Sequence, residues 1–130
     1  MARPATGRPT DLELEILKVL WRNGPSTVRA VMEIMCRRRP IGYTTVLKML
    51  QIMTDKGLVV CDKEQRTHVY RPRHQQKTII GRLTQDLVER VFEGSAQKLL
   101  VHALEHKRVK PEELKEIRRL LDEMEKSGSK

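Results

Sequence analysis

Thr44, Thr45, Lys48 and Gln51 follow one another at helical spacing, with Tyr43 just ahead of them. On an α-helix such intervals gather two hydroxyls, an ammonium and a carboxamide along one face. Threonine and glutamine both donate and accept hydrogen bonds, and lysine donates. That set suits hydrogen bonding to base edges and phosphates. A second polar group, Arg66, Thr67 and His68, follows at a turn, and Arg8, Thr27 and Arg29 precede the helix as candidate contacts to a nucleic-acid backbone.

Other reactive residue types are sparse. His102 and His106 stand at i, i+4, a spacing that can chelate a metal, but no third ligand lies near them in sequence. They are read as surface histidines, and no metal or other cofactor is expected. A hairpin can bring Cys61 and His68 to face each other. Packing is the preferred reading there, and a redox- or metal-responsive regulator acting through Cys61 is the alternative. Cys36 beside Arg37, Arg38 and Arg39 is read as a small hydrophobe at a helix end, with a reactive thiol as its alternative. There is no glycine-rich phosphate loop, nucleophile elbow or paired-metal motif, so no enzyme is expected.

Charge narrows the partner. The 130 residues carry a net charge of +9. Residues 1–74 hold 14 Lys/Arg against 7 Asp/Glu, whereas residues 75–130 hold 12 against 10. The excess therefore sits in the N-terminal part, where it favours a polyanion. Aromatic residues are only 3% of the chain, namely Trp21, Tyr43, Tyr70 and Phe92. Four scattered rings make a poor stacking platform for single strands, so double-stranded DNA is the better fit. A balance of 33% charged and 38% hydrophobic residues is that of a folded chain. No apolar run approaches the roughly 20 residues of a membrane span, and the first residues show no secretory pattern. A cytoplasmic protein without membrane insertion is expected, with Cys36 and Cys61 as free thiols.

The elements that must position these residues follow from periodicity. Residues 1–9 form a basic arm. Thr10 with Glu13 makes a capping box, and Leu12, Ile16, Val19 and Leu20 mark a first helix stopped by Asn23-Gly24-Pro25. Thr27 caps a second helix carrying Val28, Val31, Met32 and Met35. A third helix, expected to be capped by Thr44, has Val46, Met49, Leu50 and Met53 on its inner face and ends at Gly57. The period then shortens to about two through Pro72, with a polar turn near Lys63 to Arg66, as in a β-hairpin. Residues 74–126 are helical again. Ile80, Leu83, Leu87 and Val91, then Leu100 and Leu104, then Leu114, Ile117 and Leu121 form stripes expected to serve dimerisation, and residues 127–130 form a frayed tail.

The expected fold is mainly α: a winged helix-turn-helix over residues 10–73, with three helices and a hairpin wing, followed by a helical dimerisation region. A protein-interaction adaptor built on a winged helix is the alternative of a different class. "TDLELEILKVLWRNGPSTVRAVMEIM", "GYTTVLKMLQIMTDKGLV" and "RTHVYRP" resemble the penicillinase-repressor family of bacteria, the BlaI/MecI/CopY group. The resemblance is strong over residues 10–72 and one of layout beyond. It implies a homodimeric transcriptional repressor on a dyad-symmetric operator, often of β-lactam-resistance genes, with Thr44, Thr45, Lys48 and Gln51 on the recognition helix and Arg66 to His68 on the wing. In the antibiotic branch it also implies a membrane sensor protease as a partner. The Asn-Phe cut site of the best-known members is replaced here by His102-Ala103, and the chain has no cysteine after Cys61 to match the metal-binding tail of the copper branch.

Overall fold

The computed structural model describes residues 8–64 and 66–128. Most of the arm, Gln65 and the last two residues of the tail lie outside the described residues. The chain divides into two compact units that meet at Thr84 and Gln85.

The first unit opens with α1 (Asp11–Asn23). Its capping box forms as expected: the Thr10 hydroxyl accepts from the Glu13 amide at 3.2 Å, and Glu13 Oε1 accepts from the Thr10 amide at 2.9 Å. The same Oε1 also accepts from Lys56 Nζ at 2.7 Å, with the two side chains only 6% and 13% exposed. One carboxylate thus caps α1 and ties it to a helix far along the chain. Removing one partner of a well-buried pair costs about 3–5 kcal/mol, because the other charge is left uncompensated.

Gly24 ends α1 at a φ of 84°, a conformation that needs glycine. A two-residue strand, β1 (Ser26–Thr27), leads directly into α2 (Val28–Met35), where the Thr27 hydroxyl accepts from the Ala30 amide at 3.1 Å. The helix α3 (Tyr43–Lys56) follows and closes at Gly57 in the left-handed region, with the Leu58 amide donating to the Met53 carbonyl at 2.9 Å. Next come β2 (Val59–Asp62) and β3 (Val69–Pro72). The antiparallel sheet has the order β1-β3-β2. Sequence periodicity finds the hairpin but misses β1, since two residues are too few to show an alternation.

The core of this unit is aliphatic. Ile16, Leu17 and Leu20 of α1, Val31 of α2, Val46, Leu50 and Met53 of α3 and Val59 of β2 are almost wholly buried. Burying each such side chain contributes about 1.5–3 kcal/mol. Trp21 Nε1 donates to the His74 carbonyl at 3.0 Å, fixing the segment beyond β3 to α1. In α4 (Gln76–Val91), Ile79 joins this core and Leu83 packs against it. The division between units therefore falls inside α4, beyond the change of composition at residue 74.

The second unit comprises the end of α4, α5 (Ala96–Glu105) and α6 (Pro111–Ser127). Ser95 caps α5 by accepting from the Lys98 amide at 3.1 Å, and Pro111 opens α6. Arg119 bridges Glu116 and Glu123 on α6, and its hydrogen bond holds the Glu116 carboxyl below its ordinary range. Neither α5 nor α6 contains a buried residue. Among the described residues, no helix is long and apolar enough to cross a membrane.

Candidate nucleic-acid interface

The helix α3 is sided. Val46, Leu50 and Met53 are turned fully inward, while Tyr43, Thr44, Thr45, Lys48 and Gln51 are exposed. The expected cap is corrected here. Gly42, in extended conformation, is the N-cap and makes no side-chain capping bond; the Val46 amide closes the first turn on the Gly42 carbonyl at 3.1 Å. Thr44 lies one residue inside the helix, so its hydroxyl stands on the outer face. Among the described residues, the side chains of Thr44, Thr45, Lys48 and Gln51 make no hydrogen bond or ion pair. Their donors and acceptors are available to an incoming ligand. Asp55, one turn beyond Gln51, is exposed on the same helix and was not singled out by the sequence; its i+4 spacing from Gln51 was the available signal.

Two neighbouring elements flank this face. At the start of α2, the Arg29 guanidinium lies 5.9 Å from the centroid of the Tyr43 ring, within cation–π range. The side chain that opens α3 and the cation expected to reach a phosphate are thereby brought together. Thr27 is half-buried and its hydroxyl is engaged as the α2 cap. Between β2 and β3, Arg66, Thr67 and His68 are all exposed. A groove of about 410 Å³ runs between α3 and this wing, with Gln51 and Asp55 on one side and Cys61, Lys63, His68 and Tyr70 on the other. Arg8 is exposed, and its carbonyl accepts from Lys56 Nζ at 3.4 Å, which places it by the C-terminal end of α3.

The hairpin register decides which residue faces Cys61. Cys61 is paired with Tyr70, and His68 lies beyond the last ladder pair, Asp62 with Val69. The thiol therefore meets the phenol across the ladder, and His68 lies diagonal to it. Burial, reinforced by the neighbouring Cys61 thiol, pushes the Tyr70 phenol up to about 12. Cys36 is exposed and donates from Sγ to the Ile41 carbonyl at 3.2 Å. Among the described residues, no three metal-ligating side chains are grouped as an ion would require. His102 and His106 stack at 5.6 Å between ring centroids, with His106 Nδ1 3.0 Å from the His102 carbonyl. His102 and Ala103 are both exposed, but within α5.

The stripes expected for dimerisation divide into two groups. Ile80, Leu87 and Val91 on α4, and Leu114 and Leu121 on α6, are exposed. Leu83, Leu100, Leu104 and Ile117 are half-buried, Leu83 against the core of the first unit. The side chains that α4 buries are Ile79 and Val88, next in sequence to Ile80 and Leu87 of the expected stripe.

The protein-family model described as penicillinase repressor matches residues 9–123. A transcriptional regulator BlaI of Mycobacterium tuberculosis (strain CDC 1551 / Oshkosh) is 39% identical over 117 residues, covering 88% of this chain and 83% of that protein. The transcriptional regulator BlaI of strain ATCC 25618 / H37Rv matches to the same extent. A penicillinase repressor of Bacillus licheniformis is 25% identical over 114 residues, covering 88% and 89% of the two chains.

Proposed function

The chain belongs to the penicillinase-repressor family, and on that premise we propose that it represses transcription as a homodimer that binds double-stranded DNA. It is a transcriptional regulator rather than an enzyme. In this reading α3 enters the major groove, which is wide enough for one helix. Thr44, Thr45, Lys48 and Gln51 address base edges and phosphates, while Arg29 and the wing residues Arg66 to His68 hold the flanking backbone. The observation that carries the reading is the outer face of α3, polar, exposed and without internal partners, set between two basic elements of the same unit.

The dimer is supported by a different feature. The helices α5 and α6 bury no residue, and Leu114, Leu120, Leu121 and Met124 of α6 are 40–66% exposed. A second copy supplies the missing cover, and its two-fold axis matches a dyad-symmetric operator. Genes of β-lactam resistance are the proposed targets, by analogy with the relatives' names.

Gel-shift titration against an operator selected from random duplexes tests the proposal. Neutralising about 6–10 phosphates predicts a roughly 10³–10⁵-fold loss of affinity between about 50 and 200 mM salt. Lys48→Ala is expected to cost about 1–3 kcal/mol on the selected operator, and less on random duplex, if the ammonium reads a base. Equal losses on both would reassign Lys48 to a phosphate. A chain that binds no duplex at low salt would rule out the whole reading.

A further inference from the structure

Three cations rim a groove to which neither α3 nor the wing contributes. Lys18 and Arg22 of α1 and Arg38, just beyond α2, surround a cavity of about 480 Å³ floored by Val19, Ile34 and Met35. On α1 the rim and floor residues follow helical spacing, so one face of that helix forms one wall. The three cations are exposed, whereas Val19 and Met35 are only 8% and 4% exposed. The acidic residue on the rim, Glu15, is already engaged with Arg39 at 2.7 Å. Among the described residues, no carboxylate pairs with Lys18, Arg22 or Arg38.

This arrangement has a specific chemical complement. Three like charges on one rim repel one another, and an anion seated among them relieves that repulsion. Two guanidinium groups can each grip a carboxylate through paired N–H donors. The apolar floor adds a demand that a bare anion does not meet, because inorganic phosphate has no surface to bury there. The volume falls within the roughly 300–1,000 Å³ typical of small-molecule sites.

We propose that the α1–α2 groove binds an organic carboxylate with an apolar body. The head sits among Lys18, Arg22 and Arg38, and the hydrocarbon lies over Val19, Ile34 and Met35. The site is independent of the DNA-binding reading, since it shares no residue with the outer face of α3 or with the wing.

The test is ¹H–¹⁵N correlation spectroscopy on the full chain, titrated with sodium hexanoate, sodium phosphate and 1-hexanol at matched sodium concentration. Saturable shifts are expected with hexanoate, centred on the amides of Lys18, Val19, Arg22, Ile34, Met35 and Arg38, and much weaker ones with phosphate or hexanol. The combined variant Lys18→Gln, Arg22→Gln and Arg38→Gln should weaken hexanoate binding by at least about tenfold, given the charge-assisted bonds removed. Its own spectrum reports whether the fold is kept. As a control, Arg118→Gln with Lys126→Gln on α6 should leave binding unchanged. Equal shifts with phosphate would reduce the groove to a patch of charge, and equal shifts with hexanol to an apolar patch. Shifts elsewhere only, or the same groove shifts on raising protein concentration without ligand, would also overturn the proposal.

Discussion

Tyr70 shows how one side chain can govern both packing and pH response. Its ring is buried in the core, and it stands opposite Cys61 on the neighbouring strand. Burial is the main reason the phenol stays protonated up to about 12, against an ordinary value of 10.0. Below the ordinary value the phenol is neutral in both the folded and the unfolded chain. As pH rises beyond it, the unfolded chain ionises first, and stability is lost until the folded phenol also titrates. The urea midpoint should therefore fall across this alkaline window, and Tyr70→Phe should flatten the fall. An unchanged alkaline slope in the variant would mean that other groups set it. At this scale the sequence was legible where the proposed function needs exposure: Thr45, Lys48 and Gln51 stand outside because Val46, Leu50 and Met53 must stand inside. It was less legible where a side chain has a distant partner. Glu13 reads as a capping residue, and nothing local signals Lys56, 43 residues away.

Helix ends were largely written in local chemistry. Thr10 and Thr27 cap their helices through the expected side-chain oxygens, Ser95 caps α5 in the same way, and Gly57 ends α3. The start of α3 was misread because two adjacent threonines offer equally good caps, while Gly42 already holds the extended backbone a cap requires. Within α4, Gly81 is an exposed helical position where an added Cβ would meet nothing within 4 Å. Gly81→Ala should therefore stabilise the chain by about 1 kcal/mol, by restricting the unfolded backbone and improving helix propensity. A thermal or urea melt checks this. A destabilised variant would show that Gly81 serves a contact made only when a partner is present, which would itself locate an interface.

The whole molecule is unevenly covered. The first unit encloses an aliphatic core, while α5 and α6 leave their apolar residues half-buried or exposed. Isolated helices shorter than about 12–15 residues, such as α5, are marginal in water, and most helix stability comes from packing an apolar face, so both elements depend on tertiary or quaternary cover. If the proposed dimer supplies it, Leu121→Asp should shift sedimentation equilibrium from dimer to monomer and lower the helical circular-dichroism signal as well. A variant that remains dimeric with full helicity would remove α6 from the interface. Loss of dimerisation should also weaken operator binding more than loss of one base contact, because the second reading head then binds as a separate molecule.

Fold class, helix and hairpin positions, and the polar face of α3 were determined by the sequence itself. They arise from periods of about 3.6 and two residues and from capping within a few positions, all short-range properties. Only the tertiary structure decided that Cys61 meets Tyr70, that Glu13 meets Lys56, that Gln51 and His68 border one groove, and that Ile79 and Val88 rather than Ile80 and Leu87 are the buried side chains of α4. Each of these depends on strand register or helix rotation, which are set by how separate elements pack together and leave no mark in a local pattern.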